Sequence, residues 1–371
     1  MTSPTSTLNI FGSPSRYTQG AGATRSLARE MGRLGLDGPV LILASPRMRD
    51  LLEAVWTDIF EAAGQVVMVR TFGGECSGSE IEAGIAAARA FGAAVIVGSG
   101  GGKCLDTGRA VASELGLPVV NCPSIASSDA PCSALSVVYT DAGIFDHLQY
   151  YPKNPELVLV DTELVAKAPV RFLVSGMGDA LATWFEARTV AQTRSTNELK
   201  GTPTLTAGAI ARLCHDVLIA DGLAAIQAVG AKVVSPALER VVEANTLMSG
   251  LGFESGGLAL AHSVHNGLTA APGTHSSLHG EKVAFGLLVQ LVVEGQPTEE
   301  IDRVIAFCQS VGLPTTLEDV GLADLDDATL AAIAERTVAE GESSHHEPFE
   351  VTASLVSDGI LAADALGRAA F

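Results

Sequence analysis

Short apolar, β-branched runs alternate with alanine-rich helical stretches through the first 160 residues, and after about Pro169 the β-rich runs stop. Residues 40–44, 66–72, 94–98, 118–122 and 157–160 are strand candidates, and several of them are apolar at every position. Strands covered on both faces of a parallel sheet read this way. Between them, 79–90 and 106–115 carry the period of amphipathic helices. Alternation of this kind folds into a doubly wound α/β domain with right-handed crossovers. Beyond Pro169 nearly every periodic segment has helical spacing, so the chain divides into an α/β domain (1–168) and an all-α domain (169–371), with the boundary near 165–172. Ser235-Pro236 reads as a helix start, a hydroxyl cap followed by proline in the first turn. Gly256-Gly257 separates that helix from the next, which carries His262 and His265.

A chain of 371 residues has room for two such domains. Its formal charge of −19 argues against nucleic acid and anionic membranes, both of which reward clustered Lys and Arg. Six cysteines without a CxxC pair suit reduced thiols rather than a disulfide framework. The first residues, MTSPTSTLNIFGSP, lack the basic and apolar regions of a secretory leader, and no apolar run approaches the ~18 residues of a membrane helix. The expectation is a soluble, cytoplasmic protein acting on a small molecule.

Two polar stretches punctuate the α/β half. Gly98-Ser-Gly-Gly-Gly102-Lys103 joins a strand to a helix, where bare backbone can approach a diphosphate. It is neither a Walker A loop, since Val97 stands where the first glycine belongs, nor GxGxxG, since Lys103 replaces the last glycine. A tight turn without a ligand would read the same. Ser124–Tyr139 reads equally as a polar turn entering an apolar strand. In the helical half, Asp179 follows Gly178 at what reads as a helix start, where Asp is a common cap. His262 and His265 share a helical face, where one of them suits a core histidine satisfied by a backbone carbonyl; His279 suits a surface loop. As a set, Asp179, His262 and His279 offer one carboxylate and two imidazoles, the composition of a three-ligand catalytic zinc site with one position open.

The segments HGEKVAFG, LAHSVHNG, DALATWFEA, GSGGGKCLDTGR and SSDAPCSALSVVYT closely resemble those of the glycerol dehydrogenases, within the iron/zinc-containing (group III) polyol and alcohol dehydrogenase superfamily. The likeness runs from about Phe11 to Leu366. It implies a Rossmann-like domain followed by an all-α metal-binding domain. It further implies a zinc-dependent oxidoreductase moving hydride reversibly from a vicinal polyol, glycerol or a related 1,2-diol, to NAD. By matching position, Asp179, His262 and His279 are the implied metal ligands and catalytic residues. Gly100, Gly101, Gly102, Lys103, Asp106, Ser124, Ser127, Ser133, Leu135 and Tyr139 are the implied cofactor contacts. Asp129 and Phe253 are implied to face the substrate, with His265 beside the ligands. A homo-oligomer, of octameric type, is also implied.

Thr183 stands where the iron branch carries a fourth ligand, a histidine, which favours zinc although the same donors accept Fe²⁺. After the first strand the family commonly has an acidic residue for the adenosine ribose, whereas here Ser45-Pro46-Arg47 follows. NAD remains the expected cofactor, and Arg47 makes NADP the alternative. An amino-alcohol dehydrogenase of the same fold is a further alternative. A sugar-phosphate enzyme of the dehydroquinate synthase type is disfavoured, because only Arg188 and Lys282 lie near the ligand segments.

Overall fold

The five apolar runs become five of the six strands of one parallel sheet, and Val40–Ala44, Val95–Gly100 and Leu157–Asp161 bury side chains on both faces. The computed structural model describes residues 8–370; residues 1–7, part of the stretch read above for a leader, and residue 371 lie outside it. In chain order the first elements are β1 (Tyr17–Gly20), α1 (Leu27–Gly32), β2 (Val40–Ala44), α2 (Pro46–Ala62), β3 (Val67–Thr71), α3 (Gly78–Phe91), β4 (Val95–Gly100), α4 (Gly102–Leu115), β5 (Val119–Pro123), β6 (Leu135–Tyr139), β7 (Phe145–Tyr150), β8 (Leu157–Asp161) and α5 (Thr162–Ala166). Strand order is β1-β8-β5-β4-β2-β3, parallel throughout, with β6 and β7 forming a separate antiparallel pair. Alternate residues point to opposite faces. Ile42, Val97 and Val120 pack with Trp56 and Phe60, while Leu41, Leu43 and Ile96 pack with Ala110 and Val111. The result is the doubly wound, Rossmann-like layer that the alternation predicts.

The helical elements are α6 (Val170–Thr193), α7 (Leu205–Gly230), α8 (Pro236–Glu243), α9 (Ser249–Gly256), α10 (Leu260–Leu268), α11 (His279–Val293), α12 (Thr298–Val311), α13 (Asp327–Thr337) and α14 (Ala353–Ala369). A π-helical turn, Ala244–Met248, links α8 to α9. Gly257, with φ of 93°, ends α9 in a backbone conformation that an L side chain rarely adopts. No described helix is long and apolar enough to cross a membrane.

By internal contacts the described residues form two units, 13–169 with 228–242, and 8–12 with 170–227 and 243–370. A cut at 168/169 lies one residue before this boundary and otherwise differs in two places. Residues 228–242 stay with the sheet because Glu239 accepts from Gln19 Nε2 at 2.6 Å and from Thr162 Oγ1 at 2.7 Å. Residues 8–12 stay with the helices because Asn197 Nδ2 donates to Ile10 O at 2.9 Å and Gly12 N to Ser255 Oγ at 3.1 Å.

Candidate metal centre and dinucleotide loop

Asp179 does not start a helix; it lies in the middle of α6, fully buried. Gly178, which looks like a helix breaker in sequence, is a packing residue. A Cβ on it would collide with Gly280 O, and a Cβ on Gly280 would collide with Ser175 O. Both positions must be glycine for α6 and the first turn of α11 to touch, and that contact brings His279 beside Asp179. His279 is the first residue of α11 rather than a loop residue. Its turn is held by Glu281, which accepts from Leu278 N at 2.7 Å and binds Arg171 through both oxygens at 2.6 and 2.7 Å.

Asp179 Oδ1 lies 3.1 Å from His279 Nε2 and 3.4 Å from His262 Nε2. Ligand atoms of all three residues fall within 4.8 Å of one another. Tetrahedral bonds of about 2.1 Å place neighbouring ligand atoms roughly 3.4 Å apart, so the donor set fits a small divalent cation. Burial works against the Asp179 carboxylate, but His279 and His262 outweigh it and hold the carboxyl well below its ordinary range. Burial likewise disfavours charged His262, yet Glu186 and Asp179 push its pKa well above the ordinary imidazole value. The group is thus an anionic oxygen facing two imidazoles, a donor set that a divalent cation can take.

Each imidazole is held from behind. His262 Nδ1 donates to Glu186 Oε2 at 2.6 Å, and Glu186 Oε1 accepts from Ala259 N and His262 N at 2.9 and 3.1 Å. His279 Nδ1 lies 2.9 Å from Nε2 of His265. Outer partners of this type fix tautomer and ring orientation in metal centres. Thr183 is buried one turn after Asp179 with its hydroxyl 2.8 Å from Ser249 Oγ.

The loop after β4 presents backbone rather than side chain. A Cβ on Gly100 would strike Cys104 Cβ at 2.8 Å, so Gly100 is required by packing, whereas one on Gly102 would meet nothing within 4 Å. Gly102 opens α4, where first-turn amides point out of the helix and favour an anion. Lys103 is 46% exposed; its Nζ sits 2.7 Å from Glu75 Oε2 and 4.6 Å from the Tyr139 ring centre. A cavity of about 580 Å³ opens beside the loop, with Ser45, Arg47, Asp50, Ser124, Ile125 and Lys167 among its lining residues.

The sequence pattern of the iron-containing alcohol dehydrogenase family matches residues 14–162. A glycerol dehydrogenase of Thermotoga maritima is 49% identical over 364 residues, 98% of each chain. The chain belongs to the glycerol dehydrogenases of this family. A glycolaldehyde reductase of Halobacterium salinarum is 45% identical over 360 residues, 97% of this chain and 98% of that one. The crystal structure of glycerol dehydrogenase from Schizosaccharomyces pombe aligns with a TM-score of 0.93 at 38% identity, covering 98% of this chain and 92% of that one. The protein is accordingly a nicotinamide-dependent alcohol oxidoreductase.

With this family membership in place, the remaining expected residues sort themselves by environment. Ser124 donates its amide to Gly100 O at 2.9 Å and faces the cavity. Leu135 and Tyr139 bound β6, with Ser127 half-buried and Ser133 buried, its Oγ 3.1 Å from Ala130 O. Asp106 is buried: Arg109 holds its carboxylate and Val137 N donates to it at 3.3 Å. It therefore faces protein, not the open side of the loop. Asp129, 7% exposed, precedes a short 3₁₀ turn in the sheet unit, whereas Phe253 is buried in α9 and packs as core.

Residues outside the expected set do much of the holding. Glu186 lies seven positions after Asp179, two helical turns along the same face, and that spacing is the signal by which it could have been found. Arg109 carries its own signal, an arginine one turn after Asp106. Asn266, Glu342 and Arg336 carry none, because long-range packing brings them together.

Proposed function

We propose that this chain moves hydride reversibly between a vicinal polyol and NAD, with glycerol and dihydroxyacetone as the first pair to test, and that Asp179, His262 and His279 hold Zn²⁺. The observation that carries the reading is the convergence of one buried carboxylate and two Nε2 atoms at 3.1 and 3.4 Å. Zinc supplies a Lewis acid that makes a substrate hydroxyl easier to ionise, and the nicotinamide supplies the hydride acceptor. The residues do the rest. Asp179 stays ionised and contributes the negative charge; Glu186 accepts the hydrogen bond from His262 Nδ1–H and leaves the Nε2 lone pair facing inward. Gly101, Gly102 and the start of α4 receive the diphosphate, with Lys103 exchanging Glu75 for a phosphate oxygen. Asp129 accepts a substrate hydroxyl.

Vicinal oxygens as the substrate signature draw support from the named relatives, since glycerol and glycolaldehyde both carry oxygen on adjacent carbons. Two adjacent oxygens fix the reacting carbon better than one. The test is a panel of glycerol, 1,2-propanediol, ethylene glycol and simple alcohols, read by nicotinamide reduction before and after chelator treatment and after adding Zn²⁺ or Fe²⁺. Turnover with diols that vanishes on chelation and returns with Zn²⁺ supports the proposal. Equal turnover with 1-propanol, or full activity in metal-free protein, overturns it.

One observation favours NADP as a second acceptor. The cavity beside the loop carries two cations, Arg47 and Lys167, against one carboxylate, Asp50, and Ser45 stands where the family commonly has an acidic residue for the ribose. The ratio of kcat/KM for NAD over NADP decides: a value above a hundred retires Arg47 as a phosphate partner.

A further inference from the structure

Behind His279 runs a line of side chains that the reaction itself does not use. His279 Nδ1 is 2.9 Å from His265 Nε2, and His265 Nδ1 is 3.1 Å from Asn266 Oδ1. Asn266 Nδ2 donates to Glu342 Oε2 at 2.9 Å, and Arg336 Nη1 donates to Glu342 Oε1. We infer that Glu342 is a positioning residue for the metal centre, setting through Asn266 and His265 which nitrogen of His279 is free to bind the ion. The inference rests on the metal reading above.

The polarity of the line follows from what each group can do. A carboxylate only accepts hydrogen bonds, so the NH₂ of Asn266 must face Glu342 and its oxygen must face His265. An amide oxygen only accepts, so His265 must carry its proton on Nδ1 and leave Nε2 as an acceptor. That acceptor requires the proton of His279 on Nδ1, which frees Nε2 toward Asp179 Oδ1, 3.1 Å away. Every assignment descends from one negative charge. Without it the Asn266 amide can turn over, His265 takes the other tautomer, and two N–H groups face each other at the back of the metal ligand.

Glu342 is itself held in place. Its neighbour Ser343 donates from Oγ to Ala259 O at 2.6 Å, Ser344 N donates to Ser263 Oγ at 2.7 Å, and His346 Nδ1 donates to Leu258 O at 2.7 Å. The segment 342–346 is therefore tied along α10, the helix that carries His262 and His265. Arg336 comes from α13, packed so closely on α10 that a Cβ on Gly267 would collide with Thr337 Oγ1. His262 has separate support in Glu186, so the line governs one imidazole of the two.

The test is the apparent Zn²⁺ affinity of chelator-stripped protein, measured against a chromophoric competitor. Glu342→Ala and Glu342→Gln should each weaken zinc about 10–100-fold, with dinucleotide binding and the circular dichroism spectrum unchanged. The double variant Asn266→Asp/Glu342→Gln moves the charge one link inward and restores the polarity: the carboxylate introduced at position 266 accepts from His265, and the amide introduced at position 342 donates to that carboxylate. Its zinc affinity should return to within about threefold of the parent. Zinc affinity unchanged in Glu342→Ala overturns the inference, as does an affinity loss that the double variant fails to rescue, which marks a purely structural role. Asp179→Ala separates the two levels. If it too leaves zinc binding intact, the metal reading falls; if it abolishes binding while Glu342→Ala does not, only the positioning role falls.

Discussion

The sheet unit and the helical unit build their sites from different materials. The loop after β4 offers glycine backbone and one half-exposed lysine, contiguous in sequence. The candidate metal centre offers three side chains spread over 100 residues, one of them fully buried, each held by a neighbour. A site made of backbone is set by local conformation and tolerates change in the side chains around it. A site made of buried charge has no such tolerance, because any missing partner leaves a charge uncompensated.

The sharpest way to break that contrast is to remove one element from each side. Asp179→Ala and His279→Ala should each cost about 10³-fold or more in kcat and strip the metal, with dinucleotide binding retained. Metal analysis and dinucleotide fluorescence titration read the two losses separately. Gly178→Ala belongs with them, since its methyl collides with Gly280 O and parts α6 from α11; about 1–3 kcal/mol of stability should go, together with metal affinity, in a melting and metal-content assay.

Lys103→Ala should weaken dinucleotide binding only about 10–100-fold and leave metal content alone. Metal loss in that variant would contradict the division. A further effect concerns pH, where one carboxyl in each unit contributes with opposite sign. In the helical unit, burial and then Glu294 push the Glu347 carboxyl up to about 9. The folded protein keeps this proton while the unfolded chain releases it near pH 4.5, so this group's contribution falls as pH rises from there to 9, by up to about 1.4 kcal/mol per pH unit. In the sheet unit, burial opposes the Glu80 carboxylate, but Arg70 and the Gly73 amide outweigh it and lower its pKa. That contribution is fully present above the unfolded value and is lost as pH falls through the depressed one. Melting temperature against pH should therefore lose its alkaline slope in Glu347→Gln and part of its acid slope in Glu80→Gln.

Legibility followed the same contrast. Strands β2, β4, β5 and β8 could be read from local pattern because both faces are buried and their runs are almost wholly apolar. Strand β7 could not, since Phe145–Tyr150 is largely exposed and mixes Asp146, His147 and Gln149 with apolar residues. The glycine loop was visible as a contiguous word. In the helical half, Gly178 read as a break before Asp179 because local propensity penalises glycine, and the cause of its presence, Gly280 a hundred residues later, leaves no local trace. His262 and His279 were recognisable by their surrounding words. What steadies them was not: Asn266 and Glu342 are 76 residues apart, and only packing joins them.

The buried pair Asp106–Arg109 has a consequence for the dinucleotide site proposed above. Arg109 also donates to Ala130 O at 2.7 Å, Ser136 Oγ donates to Asp106 O at 3.0 Å, and the Val137 amide closes on the carboxylate. Helix α4, which begins at the glycine loop, is thereby bolted to β6, which runs between Leu135 and Tyr139. The span between the two ends is fixed before any cofactor arrives, like a ruler cut to length. On the dinucleotide placement proposed above, a nucleotide of the wrong reach would gain nothing from stretching the protein to fit.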